Sequence, residues 1–135
     1  MTSREASCSC GNLQVICEGD PRMIIACHCR DCQRRTGSVF GVGAYFRNTQ
    51  VNPKGASKVF IRDAQNGRKL RAHFCPECGT SVYWEPDFLP GHLGVAVGAF
   101  ADPSFPAPTI SVWEQSRHAW VDFGHKPARA ERQRG

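Results

Sequence analysis

Cys27-His28-Cys29-Arg30-Asp31-Cys32 places three thiols in six residues, with Cys8-Ser9-Cys10 upstream and Cys75-Pro76-Glu77-Cys78 downstream. Seven of the eight cysteines therefore sit in close clusters, and Cys17 stands alone. Thiols one or two residues apart have chelating geometry, because their sulfurs can converge on one tetrahedral Zn²⁺. A closed structural zinc takes four ligands. Of seven clustered thiols, that leaves three for a second zinc with one coordination position open, and an open position is where chemistry occurs.

The wider composition fits a metal reading. A chain of 135 residues, 41% hydrophobic and 21% charged, is one globular domain's worth with a real core. The first residues carry no apolar run of a secretion signal, and no stretch approaches the ~18 apolar residues of a membrane span. The expected setting is a reducing cytosol, in which such spacings mean metal rather than a disulfide framework. Cys27, Cys29 and Cys32 are also too crowded to serve as efficient crosslinks. The formal charge of +5 falls to about +2 once seven thiolates and two Zn²⁺ are counted. The segment from Lys126 onward holds four basic residues against Glu131, which leaves the body near −1. A duplex-binding surface needs a basic patch on the fold itself, so nucleic acid is not the expected partner.

Gly and Pro punctuate the chain, and short β-forming runs recur between them. The readable strands are Leu13–Cys17, Met23–Ala26, Phe40–Phe46, Val59–Arg62, Leu70–Phe74, Val82–Trp84, Leu93–Phe100 and Ile110–Trp113, about eight in all. Gly41 and Gly43 leave one side of the third bare, and Asn66-Gly67 is a hairpin signal because a type I′ turn needs positive φ at both centres. One short helix is expected, from Arg30 to Thr36, stopped by Gly37. The fold class is mainly β with little helix. Residues 1–126 form the domain, and 127–135 read as a basic, aperiodic, disordered tail.

Cys75-Pro76-Glu77-Cys78-Gly79 reads as a zinc knuckle: Pro76 sets the turn, and Gly79 lets backbone N–H groups reach the sulfurs. A knuckle supplies two ligands, and Cys8 and Cys10 are its natural partners, so these four are the expected structural site. Cys27, Cys29 and Cys32 are then the expected catalytic site, whose metal should exchange more readily. In an extended segment Cys27 and Cys29 face one way and His28 the other, so His28 covers the opposite face. Three thiolates make a zinc that activates water poorly and favours a fourth soft ligand, a substrate thiol. The implied chemistry is thiol addition or elimination. Arg30, Arg34 and Arg35 crowd the cluster with forks suited to the carboxylates of an anionic thiol. Cys17 is read as a small buried hydrophobe. Phe40, Tyr45, Trp84, Trp113 and Trp120 are read first as core and second as pocket walls.

Cys8-Ser9-Cys10-Gly11, Cys27 to Gly37, and Phe74-Cys75-Pro76-Glu77-Cys78-Gly79-Thr80 resemble the glutathione-dependent formaldehyde-activating enzyme family, which includes the centromere protein V domain. The resemblance runs from about Cys8 to Trp120 and takes in all seven clustered cysteines; Ser116 to Trp120 resembles the family's closing segment. It implies a zinc-stapled β-tent fold, with a structural zinc on Cys8, Cys10, Cys75 and Cys78 and a catalytic zinc on Cys27, Cys29 and Cys32. It also implies carbon–sulfur lyase chemistry, joining glutathione to formaldehyde as S-(hydroxymethyl)glutathione. Two other classes fit the same residues: a non-catalytic glutathione or formaldehyde carrier, and a zinc scaffold binding protein or nucleic acid. A methionine sulfoxide reductase would need a redox cysteine late in the chain, and none follows Cys78. The residues do not specify an oligomeric state.

Overall fold

Alternation along the strands sends neighbouring side chains to opposite faces, and here the two faces build two cores. The computed structural model describes residues 2–132. It contains eleven strands: β1 (Ser3–Ser7), β2 (Gln14–Glu18), β3 (Met23–Cys27), β4 (Gly41–Arg47), β5 (Val51–Lys54), β6 (Lys58–Asp63), β7 (Lys69–Phe74), β8 (Ser81–Pro86), β9 (His92–Ala96), β10 (Ile110–Val112) and β11 (Ala128–Arg129). One short α-helix, α1 (Arg30–Thr36), follows β3. Strands β1-β2-β5 form a small sheet, and the rest form an eight-stranded sheet in the order β11-β10-β3-β4-β9-β8-β7-β6.

Between the sheets lies a core of Leu13, Val15, Ile24, Ala44, Phe46, Val82, Tyr83 and Val95, with Cys17 in it. The next residue along each strand of the large sheet points the other way: Ile25, Tyr45, Trp84 and Ala96 form a second cluster with Leu70 and Val112. That second face carries the candidate site. Burial pushes the Cys17 thiol up to about 12, in keeping with its reading as a buried hydrophobe.

The eight expected runs all contain strand, and α1 spans the expected residues. Asn66 and Gly67 both take positive φ, 61° and 71°, turning β6 into β7 as a type I′ turn requires. Three strands were not expected. β1 is nearly all polar and buries Ala6 opposite Val15 of β2. β5 contains Pro53, tolerated because β5 is an edge strand. β11 corrects the reading of 127–135 as a disordered tail. Ala128 N–H donates to Thr109 O at 3.1 Å, Ala130 N–H to Ser111 O at 2.8 Å, and Glu114 N–H to Ala130 O at 3.0 Å. The cause is β10, three residues long, whose outer edge needs partners for its backbone groups. Residues 133–135 of that segment lie outside the described residues. The run Leu93–Phe100 also divides: the strand stops at Ala96, and Val97–Phe100 is a 3₁₀ turn.

Candidate active site and metal centres

Two groups of thiols are brought together. The sulfurs of Cys8, Cys10, Cys75 and Cys78 all lie within 4.8 Å of one another, as do those of Cys27, Cys29 and Cys32. In the first group Cys8 Sγ is 3.6 Å from Cys10 Sγ, and Cys10 Sγ is 3.6 Å from Cys75 Sγ. Tetrahedral ligands at a Zn–S length of about 2.3 Å would sit ~3.8 Å apart, so a metal ion of that size fits with little movement.

The four-thiol group is made of two matching turns, where only the second was legible as a knuckle. In one, Gly79 at φ 79° donates its N–H to Cys75 O at 2.9 Å, and Glu77 N–H reaches Cys75 Sγ at 3.4 Å. In the other, Gly11 at φ 85° donates to Cys8 O at 3.2 Å, and Leu13 N–H reaches Cys8 Sγ at 3.2 Å. Ser9 N–H donates to Thr80 Oγ1 at 3.2 Å and ties the turns together. The Thr80 hydroxyl, with backbone donors, lowers the Cys78 thiol to about 5.

The three-thiol group is assembled by a strand-to-helix passage. Cys27 ends β3, and Cys29 is the N-cap of α1 at φ −65° and ψ 157°. Its sulfur accepts from Cys32 N–H at 3.3 Å, in the way a capping oxygen would. Gly37 at φ 70° closes the helix, its N–H on Gln33 O at 2.8 Å. Hydrogen bonds from the Cys27 and Cys32 thiols hold Cys29 far below the ordinary thiol range, and the same contacts push Cys27 up. His28 faces the opposite side, fully buried, with Nε2 2.9 Å from Ser111 Oγ and its ring beside Phe40 and Phe123.

This trio lies at the junction of two clefts. One, of about 290 Å³, is lined by Cys27, Cys29, Arg30, Arg68, Trp113 and Gln115, among others. The other, of about 430 Å³, takes in Cys27, Cys32, Arg34, Arg35, Tyr45 and Trp84. Asp31 and Arg62, paired at 3.3 Å, line both clefts and link α1 to β6. The three arginines of the sequence reading are therefore divided, Arg30 on the smaller cleft and Arg34 with Arg35 on the larger. Arg62 was missed because it stands 30 residues from the nearest thiol of the trio and arrives only through the β6–β7 hairpin.

The larger cleft is carved by glycine. Along one row of the sheet Tyr45 faces Gly94, Gly94 faces Trp84, Trp84 faces Ala72, and Ala72 faces Phe60. A Cβ on Gly94 would lie 2.2 Å from Trp84 Nε1, and one on Gly43 would lie 2.6 Å from Trp84 Cζ2. The indole fills that clearance and donates Nε1–H to Tyr45 Oη at 3.0 Å. The Arg35 guanidinium stacks over it, 4.6 Å from the ring centre, in the space that Gly41 leaves. Tyr45 and Trp84 are both core and wall. Trp120, by contrast, is 73% exposed, which corrects its reading as core.

Residues 3–116 match the family described as glutathione-dependent formaldehyde-activating enzyme. The chain belongs to this family. No curated protein matches it. Among solved structures, a crystal structure of a Rhodobacter sphaeroides protein superposes with a TM-score of 0.56 at 20% identity, over 76% of this chain and 90% of that one. At that identity the likeness is one of fold. Family membership and the two thiol groups support an enzyme of the lyase type acting on a glutathione adduct, with the capacity to hold a metal ion at each group. Among the described residues, no helix is long and apolar enough to cross a membrane.

Proposed function

We propose that this chain is a zinc-dependent carbon–sulfur lyase that joins glutathione to an aldehyde, with its chemistry at Cys27, Cys29 and Cys32. The carrying observation is placement: Cys27 lines both clefts, Cys29 the smaller and Cys32 the larger, whereas Cys8, Cys10, Cys75 and Cys78 line neither. In this reading the four-thiol group holds a structural zinc, and the three-thiol group holds a zinc with an open position. A zinc ion there would supply a soft Lewis acid that favours the thiolate form of an incoming thiol.

The chain's own groups do the rest. Arg30 on one side, and Arg34 and Arg35 on the other, present cationic forks to the carboxylates of glutathione. Arg35 is held in place by Trp84 and the Asp31–Arg62 pair braces the mouth, so orientation is set before the ligand arrives. A reduced, cytoplasmic setting suits eight free thiols.

The test is thiol specificity. Glutathione should bind the zinc-loaded protein with release of close to one proton at pH 7, measured by calorimetry in two buffers of different ionisation enthalpy. The free thiol, with a pKa near 8.5, is mostly protonated at that pH, and the bound form is a thiolate. S-methylglutathione should bind at least tenfold more weakly. Equal affinity for the S-methyl analogue, with no proton released, rejects the reading.

A further inference from the structure

The larger cleft is out of proportion to formaldehyde. Formaldehyde has two heavy atoms and fills about the ~30 Å³ of a water molecule. The cleft measures about 430 Å³, within the ~300–1,000 Å³ of sites that bury small organic ligands. Its floor is Ile25, Tyr45, Leu70, Trp84 and Phe88, and Phe60 stands at its edge, 61% exposed. An exposed aromatic ring beside an apolar hollow is surface that a ligand would cover to advantage. Polar groups converge where a reacting end would lie: Cys27 and Cys32 in the wall, and the Tyr45 hydroxyl among them. Because Tyr45 Oη already accepts from Trp84 Nε1–H, its own hydrogen is left for another acceptor, such as a carbonyl oxygen.

We infer that the electrophile this enzyme accepts is an aldehyde with a bulky apolar or aromatic substituent, seated on the apolar residues of the Trp84–Tyr45 cleft, while the thiol peptide lies in the smaller cleft beside Arg30 and reaches exposed Arg34. This rests on the lyase reading above and names its substrate class. The step is an addition: the glutathione sulfur, having given up its proton, forms a C–S bond to the aldehyde carbon. The carbonyl π pair moves to oxygen, which takes a proton, so that one thiol and one aldehyde give one hydroxy-thioether with nothing oxidised or reduced. Selectivity comes from apolar burial. Covering a phenyl-sized group at ~25 cal/mol per Å² is a gain that formaldehyde cannot realise.

Addition of glutathione to phenylacetaldehyde and to formaldehyde is to be followed with the zinc-loaded protein, each against its own uncatalysed rate. The enhancement for phenylacetaldehyde should exceed that for formaldehyde at least tenfold. Ala72→Leu, which narrows the floor between Trp84 and Phe60, should lower that ratio at least fivefold. By calorimetry the unreactive analogue 2-phenylethanol should bind the protein without any thiol present, and methanol should not. Acceleration of formaldehyde alone, with no 2-phenylethanol binding, overturns the inference and leaves the lyase reading standing. Acceleration of neither aldehyde overturns both.

Discussion

A methyl group at position 94 has nowhere to go, since it would stand 2.2 Å from the Trp84 indole nitrogen. Gly94→Ala should therefore displace the indole, break its bond to Tyr45 and uncouple Arg35. A cost of about 1–3 kcal/mol, typical of overpacking, is expected in denaturant melts. Glutathione binding should weaken together with it; unchanged stability and binding would mean that the Trp84 ring is not held as described. At this scale the sequence was half legible. Gly41 and Gly43 marked a bare strand face because they alternate within one run. Gly94 carried no such mark, because its meaning depends on which residues face it across β4 and β8. Cross-strand register also made Tyr45 and Trp84 walls of a cleft; as isolated aromatics they read first as core and only second as pocket walls.

The two terminal elements of the site behave differently. Helix α1 was legible because its stop at Gly37 is a local signal, whereas its N-cap at Cys29 is seen only in the structure. Strand β11 was not, because a segment with no apolar period forms a strand only where an edge waits for it. Deleting residues 127–135 should remove the backbone bonds of Ala128, Glu114 and Ala130 along β10. At a net of about 0.5–1.5 kcal/mol per hydrogen bond, a loss of roughly 1.5–4.5 kcal/mol is expected. That would lower Tm by about 5 °C or more in a calorimetric scan. A truncated protein melting with the full chain would show that β11 adds nothing to the fold.

Across the whole molecule the four-thiol group joins the turn between β1 and β2 to the turn between β7 and β8, and so clamps the small sheet onto the large one. If it holds a zinc, that ion contributes folding energy outright. Cys78→Ser should then cost several kcal/mol, comparable to the ~5–15 kcal/mol stability of a domain, and give an insoluble or strongly destabilised protein. Cys29→Ser should behave otherwise. Serine is a good N-cap, so α1 survives and a folded protein with one metal fewer should be recovered. Native mass spectrometry and thermal melts of the two variants check both expectations, and equal melting would mean that the structural and catalytic roles are misassigned.

The capacity of the short cysteine clusters for chelation was legible in the sequence alone, because ligand spacing one or two residues apart is a local property. Strand alternation and the end of α1 were settled in the same way, by a period of two residues and by the helix stop at Gly37. Cleft shape was decided only by the tertiary structure. It depends on Gly94 lying between Tyr45 and Trp84 and on Arg62 arriving from a hairpin to meet Asp31. Each of these joins residues distant in the chain, and the joining force is non-directional apolar burial summed over the whole core, which no short stretch of sequence encodes.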